Sequence, residues 1–290
     1  MNKRKKRLPV FIFCLLFLLA PSPIQGERMP EMLVHFIDVG QGDSILIQTP
    51  SDKTILIDAG PPDAGEKVTS YLKEQQVSEI DLLVATHPDI DHIGGLPKVI
   101  NSVKVKKILD SGKLHTTKTY AKYIRTVRKH DIPVTIAKQG DEVQLDSKLD
   151  IRVLNSHSGF KSNNQSSIVL KITYGKIDFL LTSDVEKSQE KSLLKENVEA
   201  EIMKVAHHGS KTSSSLAFLK KVNPQAAILT YHVENDFGHP VDRVISNLHK
   251  VDADIYSTAM FGDVVITTNG EDYFLLPERN PFYNLDREAG

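Results

Sequence analysis

The most informative segment of this sequence is Thr86-His87-Pro88-Asp89-Ile90-Asp91-His92-Ile93-Gly94-Gly95. It follows the largely apolar run 80–86, which predicts a strand buried on both faces. Its two histidines and two aspartates could each offer a nitrogen or an oxygen to a metal ion. A loop that leaves a strand end can turn such side chains inward around one or two cations. An ordinary polar surface loop is the alternative, and the crowding of ligand-type residues beside a buried strand argues against it.

Composition narrows the kind of metal site that the chain can build. The 290 residues include eleven histidines and a single cysteine, Cys14. One cysteine excludes both a disulfide framework and a zinc site made of cysteines, so a metal would bind nitrogen and oxygen. A content of 40% hydrophobic and 25% charged residues is typical of a folded chain, long enough for one large domain or two small ones.

The first 26 residues have the pattern of a leader rather than of a folded domain. Five basic residues fall within 1–7, residues 8–20 are apolar, and small and turn-forming residues follow. This order is typical of a secretory signal peptide, and the apolar run is short for a bilayer span. We therefore expect a secreted, extracellular protein with residues 27–290 as its single folded domain and no stable membrane span after cleavage. An uncleaved N-terminal anchor is the alternative.

Charge is unevenly distributed along the chain. Without residues 1–26, the sequence has 31 basic and 37 acidic residues, a net charge of −6. Residues 98–138 have a net charge of the opposite sign: eleven basic and two acidic residues give +9. Such a stretch is usually a solvated surface, and it is also what a polyanion-binding track requires. Four basic residues at helical spacing predict a stripe along one helix face: Lys118, Lys122, Arg125 and Lys129.

The order of predicted elements indicates a single domain without repeats or linkers. Period-two patterns predict a first group of strands at 32–38, 44–49 and 53–58, and a second group at 167–173 and 176–182. Helical patterns follow each group. Two groups of strands, each followed by helices, predict an α+β fold: a four-layer αββα sandwich of two mixed sheets face to face with helices outside.

Several motifs together resemble those of the metallo-β-lactamase-fold hydrolases. The pattern His87-x-Asp89-x-Asp91-His92 is similar to the HxHxDH signature of that fold, with an aspartate in place of the second histidine. The form HPDxDHxGG resembles the C-terminal hydrolase domain of the ComEC family of competence DNA-uptake proteins and its soluble relatives. The resemblance covers residues 32–276, and further matching segments follow in order at 36–44, 55–60, 163–167, 179–184, 204–210 and 237–240.

The resemblance implies a metal centre with one or two divalent ions, zinc or manganese. The residues implied as its ligands are His87, Asp89, Asp91, His92, Asp184 and His207. Asp91 is also expected to orient the nucleophile, and His239 to act in catalysis or contact the substrate. Asp184 follows a predicted strand and precedes a helix, so a simple helix cap is its alternative role. Asp58 is expected to orient the loop from behind the ligands.

Two places in the pattern leave the ligand set open. Asn163 and Asn164 stand where the wider superfamily has its middle histidine, and with Asp89 they make the first site richer in oxygen. Harder ligands favour manganese or magnesium over zinc. The other place is the pair His207-His208, which ends a predicted strand. Adjacent residues of an extended segment point in opposite directions, so we expect one ligand from this pair and select His207.

Residues 209–215 predict a site for a substrate phosphate. They contain five hydroxyl residues and one lysine at the start of the predicted helix 212–222. Backbone N–H groups at a helix start attract anions, so Ser210 and Lys211 are predicted to bind the phosphate. An ordinary serine or threonine cap is the alternative. Asn164, Lys122 and Arg125 complete the predicted substrate-binding set.

These expectations describe a secreted metal-dependent hydrolase that uses activated water on a phosphodiester. DNA is the first substrate because of the ComEC resemblance. A cell-wall polymer such as a teichoic acid is the alternative, and the basic segment 98–138 would serve either. A hypothesis of another class is a catalytically weakened homologue that binds nucleic acid, which the missing middle histidine motivates.

Overall fold

The computed structural model describes residues 31–280. The signal peptide predicted over residues 1–26 lies outside this range, so it stays a prediction, and so does secretion. Within residues 31–280, every helix is too short or too polar to cross a bilayer.

The strands alternate with helices along most of the described chain. The strands are β1 Met32–Phe36, β2 Ile45–Gln48, β3 Thr54–Ile57, β4 Glu79–Ile80, β5 Leu82–Ala85, β6 Lys104–Val105, β7 Ile108–Asp110, β8 Val134–Ile136, β9 Leu149–Asn155, β10 Val169–Tyr174, β11 Ile177–Leu181, β12 Ile202–Lys204, β13 Ala226–Leu229, β14 Asp254–Ser257, β15 Val264–Thr268 and β16 Tyr273–Pro277. The helices are α1 Ala64–Glu74, α2 Ile90–Ile93, α3 Leu96–Ser102, α4 Lys118–Lys129, α5 Lys187–Leu193, α6 Leu216–Val222, α7 Asp242–His249 and α8 Thr258–Phe261. Short 3₁₀ turns occupy Asn164–Ser166 and Ala206–Gly209.

Two large mixed sheets account for most of the strands in residues 31–280. The first has eight strands in the order β16-β15-β1-β2-β3-β5-β7-β8, and the second has six in the order β14-β13-β12-β11-β10-β9. Antiparallel hairpins at one side of each sheet give way to parallel strands at the other, from β3 to β8 and from β11 to β14. The prediction of an α+β fold with two mixed sheets is confirmed.

Alternate residues of the facing strands form the core between the sheets. Val34 and Phe36 of β1 and Phe179 and Leu181 of β11 belong to one buried cluster. Each such side chain stabilises the fold by about 1.5–3 kcal/mol when it leaves water. The outward-facing alternates pack under helices in two further clusters, one beneath α1, α3 and α4 and one beneath α5, α6 and α7. The period-two pattern of the sequence therefore separates the inner layer from the two outer layers.

The parallel strands direct the polar segments of both sheets to one edge. Asp58 follows β3, and the segment 86–92 follows β5 in the same sheet. Asp184 follows β11 and the pair His207-His208 follows β12 in the other sheet. The Ser183 hydroxyl donates to Thr86 Oγ1 at 2.9 Å, which joins the two sheets at this edge. The carboxyl ends of strands from both sheets thus form a single site.

Candidate metal centre

The loop after β5 is held against the first sheet by backbone hydrogen bonds. Asp43 N donates to Asp91 O at 3.1 Å, and Ala59 N donates to His92 O at 2.9 Å. Gly42 makes this approach possible, because it adopts a φ of +139° and a Cβ there would collide with the Asp91 carbonyl. The turn 40–43 and the loop 86–92 therefore fit together as one unit, with the side chains of the loop directed towards the second sheet.

Three buried imidazoles share one arrangement of their two ring nitrogens. His87, His92 and His208 are each at most 2% exposed. None of their Nε2 atoms has a hydrogen-bond partner within the described range 31–280. Each Nδ1 atom, by contrast, contacts an oxygen of a neighbouring residue. Such outer contacts fix the orientation and the tautomer of metal-binding histidines.

The partner of each Nδ1 atom is a different group. His92 Nδ1 donates to Asp58 Oδ2 at 2.8 Å, and His208 Nδ1 donates to the Thr230 carbonyl at 2.6 Å. His87 Nδ1 lies 3.1 Å from Thr86 Oγ1, whose hydroxyl donates to Asp58 at 2.5 Å. Since a carbonyl only accepts, the neutral His208 ring keeps its proton on Nδ1 and a lone pair on Nε2. Asp58 thus supports two of the three histidines on the side away from Nε2: His92 directly, and His87 through the Thr86 hydroxyl.

Asp184 lies at the centre of these nitrogens. Its Oδ2 is 3.3 Å from His92 Nε2, 3.4 Å from His208 Nε2 and 4.0 Å from His87 Nε2. Its Oδ1 is buried, and no other described group hydrogen-bonds to it. Burial raises the pKa of this carboxyl, but the imidazoles of His208 and His92 outweigh burial and hold the pKa well below its usual range. Asp184 is therefore a carboxylate that faces both halves of the centre.

Two further aspartates complete two adjacent groups around Asp184. Asp91 Oδ2 is 3.4 Å from His208 Nε2 and 4.0 Å from His92 Nε2. One ligand atom from each of Asp91, His92, Asp184 and His208 lies within 4.8 Å of the others. On the other side, Asp89 Oδ2 is 3.5 Å from His87 Nε2, and Asn163 donates to Asp89 Oδ1 at 2.6 Å. The structure brings together all six ligands implied by the resemblance and adds His208.

The geometry of the His207-His208 pair differs from the sequence expectation. Both residues have left-handed backbone, with φ of 52° and 53°, so the segment is a turn and not an extended strand end. Both side chains therefore face Asp184, with His207 Nε2 at 3.8 Å and His208 Nε2 at 3.4 Å. The expectation that the two rings point apart was wrong. His208 lies in the compact group, whereas His207 also contacts Thr212 and Asn164.

Electrostatics distinguish the two rings as well. Burial lowers the pKa of His208, but the carboxylate of Asp184 outweighs burial and raises the pKa to about 9. Burial lowers the pKa of His207. The surroundings therefore stabilise positive charge at His208 and not at His207. This is expected where a ring nitrogen faces a cation site.

A cavity of about 440 Å³ opens on the centre. Asp91, Asp184 and His208 form its floor, and Asn164 and His239 lie in its wall. His239 packs its ring 5.5 Å from His207, and its buried Nδ1 is without a hydrogen-bond partner among the described residues. Burial and the two nearby imidazoles lower the pKa of His239 to about 4. Both residues predicted for catalysis thus line the cavity.

The predicted phosphate cradle at 209–215 is not available to a ligand. Helix α6 begins at Leu216 and not at 212, with Ser215 as its cap. The backbone amides of Ser214 and Ser215 donate to the carboxylate of Glu190, a 1% exposed residue of α5. A buried carboxylate already occupies the position that an anion would take, so the helix-start part of the prediction was wrong.

The remaining predicted substrate contacts lie away from the cavity. Ser210 is buried and Lys211 is exposed, and neither contributes to the cavity wall. Lys122 and Arg125 are on exposed turns of α4, also outside the wall. Only the start of this helix reaches the cavity, through residues 117 and 119. The basic stripe therefore lies outside the cavity, on the helix whose first residues border it.

A buried ion pair that was not predicted from the sequence lies behind the histidines. Lys204 is fully buried, and its Nζ lies 2.8 Å from Asp43 Oδ2. Asp43 Oδ1 accepts the Thr230 hydroxyl at 2.5 Å and lies 3.5 Å from His208 Nδ1. One signal was present: a lysine at the end of the apolar strand β12, three residues before the histidine pair. Buried lysines are rare without a paired charge.

Comparisons with known proteins agree with this geometry. Residues 37–231 match the family model described as the metallo-beta-lactamase superfamily. ComE operon protein 3 of Bacillus subtilis (strain 168) is 29% identical over 273 residues, which cover 87% of this chain and 34% of that protein. Competence protein ComA of Neisseria gonorrhoeae is 29% identical over 224 residues, which cover 75% of this chain and 30% of that protein. The chain therefore spans about a third of the length of these relatives.

A solved structure supports the fold alone. The metallo-beta-lactamase fold protein YhfI of Bacillus subtilis superposes with a TM-score of 0.55 at 15% identity, covering 82% of this chain and 100% of that chain. The family match spans more than half of the sequence and includes the loop 86–92, Asp184 and both histidines of the pair. The chain belongs to the metallo-beta-lactamase superfamily and is related to competence proteins.

Proposed function

We propose that this protein is a metal-dependent phosphodiesterase, with DNA as its first candidate substrate. The observation that supports the proposal is the convergence of three buried Nε2 atoms on Asp184, each without a hydrogen-bond partner in the described part of the chain. Leaving several polar atoms buried and unpaired is costly for a folded protein, and such groups call for an explanation. Divalent cations bound at this centre would give each of these nitrogens a partner.

The donor set fits a divalent ion. His92, His208, Asp91 and Asp184 would hold one ion, and His87 and Asp89 would share Asp184 with a second. Imidazole nitrogens suit zinc, and carboxylate oxygens suit manganese, so the carboxylate in place of a histidine at Asp89 shifts the preference towards manganese. When bound, such ions supply the Lewis acidity that activates water and offsets negative charge on a phosphoryl group.

The protein's own residues would position the reactants. Asp58 and Thr230 hold the rings of His92 and His208 in one orientation. Asp91, at the cavity floor, would orient the attacking water through its carboxylate. His239 lines the cavity and is neutral near pH 7, because burial lowers its pKa to about 4. It would therefore contact a substrate phosphate by a hydrogen bond and not as a cation.

Two features favour DNA over other phosphodiesters. One is the similarity to relatives that include a competence protein. The other is the basic face of α4, whose first turn borders the cavity while Lys122 and Arg125 extend away from it along the surface. A polyanion lying along this face would reach the centre with one of its phosphates.

Metal analysis and turnover test the proposal together. The purified protein is expected to bind manganese or zinc and to hydrolyse bis-p-nitrophenyl phosphate and DNA only when the metal is present. Asp91→Ala should reduce kcat at least a hundredfold, because it removes a predicted ligand and the group that orients water. Asp254→Ala is the matched control, since Asp254 is exposed at the start of β14, at the opposite edge of its sheet.

Two results would separate the candidate functions. Absence of both bound metal and turnover would refute the enzyme and favour a nucleic-acid-binding homologue, provided that DNA still binds. This second candidate draws on Asn163, whose amide replaces a ligand and hydrogen-bonds Asp89. Cleavage of the small diester but not of single- or double-stranded DNA would remove DNA and leave a polymer such as a teichoic acid.

A further inference from the structure

An exposed aromatic side chain stands at the mouth of the cavity. Phe237 is 66% exposed, yet it lines the same cavity as Asp184 and His208. It belongs to the segment 231–240, which connects β13 to α7. Single exposed apolar side chains are common on protein surfaces. The position of Phe237 at the mouth of this cavity, rather than its exposure alone, points to contact with a ligand.

The ring of Phe237 does not stand alone. It stacks on the ring of His239, with centroids 5.7 Å apart and an interplanar angle of 26°. Gly238 between them has a φ of +66°, a conformation that lets residues 237 and 239 present their rings side by side. His239 in turn lies 5.5 Å from His207. The stacked pair, called the aromatic wall below, therefore extends from the cavity mouth towards His207.

The side chain of Asn235 fixes this wall in place. Its Oδ1 accepts from Phe237 N at 3.1 Å and from His239 N at 3.0 Å. Its Nδ2 donates to His232 O at 2.8 Å and to His239 O at 2.7 Å. His232 N also donates to Gln41 Oε1 at 3.3 Å, which ties the segment to the turn before β2. Phe237 is thus held by its backbone, and a ligand that stacks on it need not order the loop.

The rest of the cavity suits a flat group attached to a phosphate. Pro88 and Ile90 add apolar surface, and Ile90 is 54% exposed. His115 and Thr117 add hydrogen-bonding groups. The volume of about 440 Å³ lies in the range of small-molecule sites. A phosphate at the floor would leave its organic substituent against the aromatic wall.

We propose that Phe237 is a specificity-determining residue that stacks a planar ring of the substrate, the base next to the reacting phosphate. Base stacking on aromatic side chains is sequence-tolerant, because every base offers a flat face. The site then accepts phosphodiesters of nucleosides and discriminates against polyol phosphates, which have no ring to stack. This inference rests on the proposed function and names the substrate feature that the same site recognises.

The test compares two ligands that share a phosphate. Thymidine 5′-monophosphate and glycerol 3-phosphate are titrated by calorimetry, with manganese present, into the parent protein and its variants. The parent should bind the nucleotide at least tenfold more tightly. Phe237→Leu should weaken nucleotide binding about tenfold and leave glycerol 3-phosphate unchanged. Phe237→Tyr should keep the nucleotide affinity, because it keeps the ring.

Phe274→Leu is the matched control, since Phe274 is similarly exposed on β16 but lines no part of this cavity. It should change neither affinity. Equal weakening of both ligands by Phe237→Leu, or no change in either, would overturn the inference, and so would equal binding of the two ligands by the parent. These titrations need no turnover. A parent that discriminates by the base but hydrolyses nothing would therefore refute the phosphodiesterase and not the stacking site.

Discussion

Replacing Asp58 with asparagine tests how the centre controls its histidines. The Asp58 carboxylate is fully buried and accepts three hydrogen bonds: from His92 Nδ1 at 2.8 Å, from Thr86 N at 2.9 Å and from the Thr86 hydroxyl at 2.5 Å. Asparagine has nearly the same shape, and its side chain tolerates the left-handed backbone at this position, where φ is 55°. The change therefore alters chemistry with little change of volume.

The effect follows from the number of acceptors. An asparagine oxygen that accepts from Thr86 N turns its NH₂ group towards His92 Nδ1, so two donors face each other. His92 can avoid this clash by moving its proton to Nε2, which removes the lone pair that faces Asp184. The opposite amide orientation sets NH₂ against Thr86 N–H instead. Loss of such a supporting group weakens metal binding by about 10–100-fold, or about 1.4–2.7 kcal/mol.

Metal affinity is the measurement, made by competition with a chelating dye for zinc and for manganese. Asp52→Asn is the control, because Asp52 is exposed and also has a left-handed backbone, with φ of 57°. Thermal unfolding of the metal-free proteins shows whether both variants fold. An Asp58→Asn protein that folds and binds metal within twofold of the parent would refute the argument that Asp58 sets the tautomer of His92.

Three other substitutions test the buried ion pair, the glycine beside the loop 86–92 and a buried histidine of β1. Lys204→Met leaves Asp43 buried without its counter-charge and should lower the free energy of unfolding in urea by about 3–5 kcal/mol; a loss below 1 kcal/mol would contradict the pairing. Gly42→Ala should weaken metal binding at least tenfold, since its Cβ would displace the Asp91 carbonyl; unchanged binding would show that the loop shifts freely. Burial lowers the pKa of His35 to about 4, so its neutral form stabilises the fold fully above pH 6.5 and loses this effect as the pH falls towards 4. In His35→Gln, the free energy of unfolding should therefore change less between pH 6.5 and about 4 than in the parent. An unchanged pH dependence would contradict this role of His35.

The sequence predicted the layered fold and the principal ligand loop because both depend on local pattern. Period-two alternation placed residues such as Val34 and Phe36 in the core between the sheets. The loop 86–92 combines a buried strand end with closely spaced ligand residues. Such signals are contained within a few neighbouring residues, so no tertiary contact is needed to interpret them.

Other features depend on contacts between distant residues, which a single sequence does not reveal. Both His207 and His208 face Asp184 because two consecutive residues have a left-handed backbone. The periodicity of the sequence does not predict this conformation. The start of α6 depends on Glu190, a residue of another helix that takes the amides of 214 and 215. Lys204 ends β12 of the second sheet and is buried beside Asp43, which precedes β2 of the first sheet. In each case, a tertiary partner overrides the local propensity.

The centre has ligands on both sheets, and this has a consequence for the lifetime of the fold. His87, Asp91 and His92 come from the first sheet, whereas Asp184 and His208 come from the second. An ion held by both groups would act as a cross-link between the two halves of the domain. Because it would bind the folded chain and not the separated halves, it would raise the free energy of unfolding by mass action. Metal supply would then govern how long the folded chain resists heat and proteases, in addition to whether it is active.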